Sequence, residues 1–484
     1  MNDFFSYSFE NPWFFTNYGF LFILSLFLIF YSGFSSTSFW KKLYVILFSL
    51  FFYYKSSGPY ISIFIGMIFL DYNIALAIEK IENSLKRKFL LAGSIILSLS
   101  FLLYFKYSNF FLNIVNDSFG TDYIIKNLFL PIGISFYTFQ SISYIVDVYQ
   151  KKIESSKSFI DYTFYMTFFP HLVAGPIVRA KDFIPQIKNP IFVNSEVIKN
   201  AFLRIMTGLI KKLLIADLLA KYVDIVHSSP SLYSGFENLV SMYAYTFQIY
   251  FDFSGYSDIA IGIALLLGYT LNENFDSPYQ SFNITQFWRK WHISLSSWLR
   301  DYIYIPLGGN KKGEFNTYLF LMITMLIGGF WHGADWKFVI WGALHGLALA
   351  IHKLYLKLSK TDSHQSKKSI FSFVNLLITF HFVAVLWILF RAQSYATAIQ
   401  SITKISTAIN LSDITGFFSA RSEVIYMLVV SAVIAFCPVF VKKQIKTYFQ
   451  KIPFLVIILL FLITLQVILQ FKDQEVQPFI YFQF

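Results

Sequence analysis

The sequence has little charge. Asp, Glu, Lys and Arg make up 14% of its 484 residues, against roughly 25% in a soluble domain. With 56% hydrophobic and 21% aromatic residues, this excludes an ordinary soluble enzyme. Cysteine is nearly absent, Cys437 being the single one. No intrachain disulfide framework is possible, and a thiol in an apolar run is a poor nucleophile because burial disfavours the thiolate. The first ten residues hold no basic cluster. The apolar run after them has no small-residue cleavage site, so it reads as a retained helix rather than a signal peptide. There is no P-loop and no Gly-x-Ser-x-Gly elbow. No internal repeat is visible either, so the inverted-repeat plan of many transporters lacks its sequence trace.

What the chain does have is a series of membrane-length apolar runs. They fall near 13–32, 43–54, 60–77, 89–105, 129–149, 243–268, 316–332, 336–353, 369–390, 424–441 and 453–471. The expected fold is an all-α polytopic membrane protein in one domain, 1–484. Its N-terminal helices would be 1–157, its core 158–357 and its C-terminal helices 358–484. The net charge of +12 sits mostly in short loops, which is the positive-inside pattern rather than a nucleic-acid footprint. Lys41-Lys42, Lys86-Arg87-Lys88, Lys151-Lys152 and the loop Lys353–Lys368 then lie in the cytoplasm, with the N-terminus outside. Gly175-Pro176 predicts a broken or re-entrant helix. Arg204, Lys211, Lys212 and Asp217 suggest a helix lying along the interface. The run 243–268 carries Gln248, Asp252, Ser254, Ser257 and Asp258. It is too polar to face lipid and is expected inside, lining a cavity.

Chemistry concentrates between Phe287 and His332. Read as one helix, 289–301 puts Arg289, His292, Ser296 and Arg300 on one face. Two guanidinium forks there suit an anionic, phosphate-bearing ligand. The same face suits lipid headgroups, with Trp291 and Trp298 in the aromatic belt. His332 closes Gly328-Gly329-Phe330-Trp331-His332-Gly333-Ala334. An imidazole there is a candidate general base for a hydroxyl nucleophile, or a structural hydrogen-bonding group. Trp331 beside it is a candidate donor contact. His345 and His352 lie a heptad apart, but no acidic or cysteine ligand stands near at metal spacing, so no metal is expected. His292 is followed five residues later by Ser297, not Asp, which excludes the soluble type of glycerolipid acyltransferase.

Five motifs, in one order along most of the chain, carry a resemblance. They are Pro131-Ile-Gly-Ile-Ser-Phe136, Ala174-Gly-Pro-Ile-Val-Arg179, Phe287–Asn310, Gly328–Ala334 with Trp341-Gly-Ala-Leu-His-Gly346, and Phe390-Arg-Ala392. The chain resembles the membrane-bound O-acyltransferase family, in the branch that O-acetylates bacterial polysaccharides. The Ile305-Pro-Leu-Gly-Gly-Asn310 ending looks like that branch rather than the teichoic-acid D-alanyl branch. The resemblance implies a ring-like bundle of about 11–13 transmembrane helices with a thin central wall. It maps the family's near-invariant histidine onto His332 and its second recurrent polar position onto His292. It implies a bacterial inner-membrane O-acetyltransferase with no permanently bound cofactor. Acetyl-CoA is the expected cytoplasmic donor, held by Arg289, Arg300, Ser296 and Trp331. The acceptor is a cell-envelope polysaccharide, with peptidoglycan favoured; the alternatives are O-acetylation of an alginate-like exopolysaccharide and D-alanyl transfer to teichoic acid. A periplasmic or extracellular acetyltransferase- or esterase-like partner is expected, membrane lipid surrounds the chain, and nucleic acid is not a partner. The competing class is a transporter that performs no chemistry.

Overall fold

The computed structural model describes residues 6–8, 12–35, 37–124, 128–173, 175–359, 370–471 and 479–480. Among them every regular element is helical and there is no strand. Six helical stretches among the described residues are long and apolar enough to cross a membrane: Phe39–Lys80, Ser84–Phe119, Gly235–Leu266, Trp336–Ser359, Ser372–Arg391 and Phe454–Phe471. The protein is a multi-pass membrane protein. As one straight helix, Phe39–Lys80 would rise about 63 Å, twice the roughly 30 Å of a hydrocarbon core. Gly58 interrupts it, at φ 57° and ψ −134°, so the two apolar runs that the sequence separates there stay separate.

Other apolar runs are divided further. Leu411–Ala420 and Ser422–Ala435 bend by 90°, and the second ends ahead of Cys437-Pro438, short of the expected 424–441. Residues 360–369 of the lysine-rich loop, Ala174 of the Gly-Pro motif and residues 1–5 lie outside the described residues.

The chain folds as two compact units, Met1–Ile205 with Ile259–Asn272, and Met206–Asp258 with Glu273–Phe484. In the first, helices begin where short polar side chains take up an orphan N–H. Ser38 accepts from the Lys41 amide, Asn83 from that of Lys86, and Ser158 from that of Asp161. The expected break near Gly175 is present. Phe159–Thr167 gives way at Phe168 to a single turn, Phe169–Leu172, and helix resumes only at Ala180–Lys188.

Irregular backbone in a membrane needs partners supplied by protein. The Phe169 N–H donates to Ser49 Oγ at 3.2 Å and the Ile132 N–H to Ser57 Oγ at 3.1 Å. Both serines belong to Phe39–Ser57. Around the break the Phe169 ring packs against Phe48 at 5.0 Å, Phe27 at 5.9 Å and Phe52 at 6.1 Å. Lipid tails are as apolar as phenylalanine, so close packing rather than escape from water holds such contacts.

The second unit is organised by a tight helical hairpin, Glu314–His332 and Trp336–Ser359. Its arms touch backbone to backbone through glycine. A Cβ on Gly329 would stand 2.3 Å from the Phe338 carbonyl oxygen, and one on Gly342 would stand 2.4 Å from that of Met325. Small residues at such crossings let membrane helices approach closely. The helix Gly235–Leu266, shared in sequence by both units, has 89% of its 18-residue apolar window buried, as its polarity demands.

The expectation of an interfacial helix at Lys211 and Lys212 is corrected here. Both lie on a π-helical turn, Ile210–Ala216, and both meet carboxylates. Lys212 is 2% exposed and pairs with Asp252 and, at 2.7 Å, with Asp217. Lys211 pairs with Asp258 at 2.6 Å. Gly255 permits the approach, since a Cβ there would stand 2.8 Å from the Gly208 oxygen. Their countercharges sit mainly on another helix, which a helical wheel does not show.

Candidate active site

His332 is the last residue of its helix. The chain leaves it in extended form at Gly333 and re-enters helix at Trp336, where Asp335 Oδ1 accepts the Lys337 N–H at 2.8 Å. The turn is closed by Phe338, whose ring a Cβ on Gly333 would strike at 2.0 Å. The His332 imidazole is 4% exposed. Aromatic rings pack around it, among them Trp331 at 5.0 Å, Trp341 at 5.2 Å and Phe390 at 5.2 Å, these steeply inclined to it. Phe390 is fixed by its own neighbourhood. Lys337 Nζ donates to the Ala392 carbonyl, Arg391 pairs with Asp224, and the Phe338 ring lies 5.0 Å away.

His292 belongs to the same site, by a route the sequence does not show. The helix expected over 289–301 is absent. Ile284–Lys290 ends at Trp291, and a new helix, Ile293–Leu299, begins after His292. His292 itself is left-handed, at φ 42° and ψ 56°. That conformation is uncommon outside glycine, and histidine is among the residues that visit it most. Asn274 holds the break. Its carbonyl accepts the Ile293 N–H at 3.0 Å, and its Oδ1 accepts the Ser294 N–H at 3.2 Å and the Ser294 hydroxyl at 2.9 Å.

The result is a fully buried imidazole, 4.6 Å edge-on to Phe253 and 6.1 Å from the Trp331 indole. Burial pushes the His292 pKa from its ordinary 6.5 down to about 3, so the ring is neutral at pH 7. Trp331 is therefore in ring contact with both histidines. The shared face expected for Arg289, His292, Ser296 and Arg300 does not exist, because the chain reverses its local geometry at His292. Arg289 and Arg300 are exposed, and Arg300 Nε donates to Asp301 at 2.8 Å. Ser296 is half-buried and gives its hydroxyl to the Trp291 carbonyl at 3.1 Å.

His345 lies one ring further on. Trp341 is 4.5 Å from it and 5.2 Å from His332. The Trp288 indole N–H donates to His345 Nδ1 at 3.3 Å, and Thr285 pairs with His352 Nδ1 at 2.8 Å. Histidines and tryptophans thus alternate through the core of this unit, from His292 by Trp331, His332 and Trp341 to His345. Phe253 packs on His292, Phe390 packs on His332, and Asn274 holds the backbone after His292. Asn274 carries no local motif that would single it out.

The sequence profile of the membrane-bound O-acyltransferase family matches residues 13–390. A protein of Pseudomonas putida named "Probable alginate O-acetylase AlgI" is 42% identical over 365 residues, 74% of this chain and 73% of that protein. The peptidoglycan O-acetyltransferase of Helicobacter pylori is 39% identical over 389 residues, 74% of this chain and 72% of that protein. A teichoic acid D-alanyltransferase of Streptococcus thermophilus is 30% identical over 255 residues, 49% of this chain and 60% of that protein.

Proposed function

Because the chain belongs to the membrane-bound O-acyltransferase family, we propose that this O-acyltransferase moves acetyl from a cytoplasmic thioester, acetyl-CoA, to hydroxyls of a cell-envelope polysaccharide. The setting is a bacterial inner membrane. Relatives named for alginate and for peptidoglycan stand at 42% and 39% identity, and both are hydroxyl-rich polysaccharides. Peptidoglycan is the acceptor we put first. An acetyltransferase- or esterase-like protein outside the membrane is the expected partner that completes delivery.

The observation that carries the mechanism is the seat of His332, a buried imidazole at a helix end, hemmed by Trp331, Trp341 and Phe390. His332 takes the proton of the acceptor hydroxyl. The hydroxyl oxygen attacks the thioester carbonyl carbon, the C–S bond breaks, and the leaving thiolate receives the proton from His332. His292, neutral and in ring contact with the same tryptophan, orients Trp331 beside His332. Arg289 and Arg300 are the cations proposed to meet the donor phosphates, now as two separate contacts, with Ser296 and Trp331 as further donor contacts, Trp331 beside His332.

Purified protein in detergent is given acetyl-CoA and a soluble glycan acceptor, and free thiol and ester-linked acetate are measured. Thiol release should occur with the purified protein, and ester-linked acetate should appear on the glycan once a cell-envelope extract supplies the partner. Release only from a D-alanyl carrier protein would replace this reading with the D-alanyl one. Ester acetate on isolated cell wall, with and without the gene, then tests peptidoglycan. An unchanged wall with altered exopolysaccharide would move the acceptor to the alginate-like class.

A further inference from the structure

The C-terminal residues Phe479 and Ile480 lie far beyond the 13–390 region that the family shares, yet they are 2% and 1% exposed. They dock on successive turns of Gly235–Leu266. The Ile480 N–H donates to Asp252 Oδ2 at 3.0 Å, while Asp252 Oδ1 holds Lys212. A buried carboxylate needs donors for both oxygens, and the tail supplies one of them. The Phe479 ring packs 4.9 Å from Tyr256 and 5.4 Å from Phe253. Phe253 in turn stands edge-on to His292 at 4.6 Å.

A left-handed histidine keeps its geometry only where its surroundings over-determine it. Asn274 holds its backbone, and Phe253 is one of the rings that bear on its imidazole. We infer that Phe479 is a positioning residue for the reaction: it backs Phe253 and so fixes the His292 ring beside Trp331. This rests on the role proposed above for His292.

The full-length enzyme is assayed for acetyl-CoA-dependent transfer as wild type and as Phe479→Ala, Phe479→Tyr, Phe253→Leu, His292→Ala and the Phe479→Ala/Phe253→Leu double variant. Small displacements of a reacting group slow catalysis more than they weaken binding, so Phe479→Ala should lose roughly ten- to a hundredfold in kcat. Its KM for acetyl-CoA should stay close to wild type, while its melting temperature falls because the ring it removes is buried. Phe479→Tyr, which keeps the ring, should recover most of the rate. The double variant should be no slower than Phe253→Leu alone, because the two act in series.

A wild-type kcat in Phe479→Ala overturns the inference, as does a rate loss that multiplies with that of Phe253→Leu. If Phe479→Ala does not fold, Phe479→Leu carries the same expectations. His292→Ala at wild-type rate would instead remove the role of His292 itself. A slow His292→Ala beside a normal Phe479→Ala removes only the role of the tail.

Discussion

His332 and Trp341 meet edge to face, their ring centroids 5.2 Å apart and their planes at 86°. One lies at the end of the first hairpin arm and the other on the second arm. Their contact therefore depends on how closely the arms approach, and Gly329 and Gly342 set that approach. Packing at a helix crossing and the seat of the proposed base are one structural problem.

Gly342→Ala should disturb both. The new Cβ would stand 2.4 Å from the Met325 carbonyl oxygen and 3.1 Å from Gly329 Cα. Backbone cannot swing aside as a side chain can. We expect a loss of about 1–3 kcal/mol, as for other overpacked cores, seen as a lower melting temperature in detergent with loss of transfer. Gly66→Ala is the control, since a Cβ there meets nothing within 4 Å, and helix propensity favours alanine by about 1 kcal/mol. Equal melting temperatures for Gly342→Ala and wild type would show that the arms can separate without cost.

Much of this arrangement is legible in the sequence, for definite reasons. The hairpin is readable because Gly328, Gly329 and Gly333 flank the Trp-His pair and two apolar runs meet across a few residues. The break before Ala180 is readable because Gly175-Pro176 cannot continue a helix. The kink at His292 is not. Nothing in Trp-His-Ile-Ser-Leu-Ser forbids a helix, and what breaks it is Asn274, a residue remote in sequence that captures the Ile293 and Ser294 amides. Likewise Lys211 and Lys212 look like an interfacial face until the helix bearing Asp252 and Asp258 is set against them.

That kink changes what the two arginines should do. On a single helix they would face one anion together; on two helices they no longer share a face. Arg289 is exposed at the end of Ile284–Lys290, while Arg300 is neutralised in part by Asp301 at 2.8 Å. Arg289→Ala should raise the acetyl-CoA KM about tenfold at low salt, the scale of one charge-assisted contact. Near 0.5 M salt, where screening acts within roughly 4 Å, the difference should shrink. Arg300→Ala should change KM less, about threefold or under. Initial rates against donor concentration at two ionic strengths decide this. A KM in Arg289→Ala that matches wild type at low salt would assign the arginine to lipid headgroups.

The sharpest test sets His332 against His345. Both are buried and both touch Trp341, at 5.2 Å and 4.5 Å. Their surroundings differ. His345 lies within a helix, and its Nδ1 receives the Trp288 indole N–H at 3.3 Å, an arrangement that fixes packing. His332 ends its helix at a tight turn, the position where a hydroxyl nucleophile and a thioester could meet it. A general base contributes typically about 10²–10⁴-fold, and its loss in a dry site removes the proton acceptor altogether. His332→Ala should therefore abolish transfer with a near wild-type melting temperature. His332→Gln keeps a hydrogen-bonding group but accepts no proton at neutral pH, and should be equally inactive. His345→Ala should melt lower, because it leaves the Trp288 N–H unpaired at a cost of about 1–3 kcal/mol, yet keep part of its activity. Thiol release and thermal melts on the three variants separate the roles. Transfer by His332→Gln at a rate near wild type would make His332 structural and pass the proposed base to His292, across the Trp331 indole that both imidazoles touch.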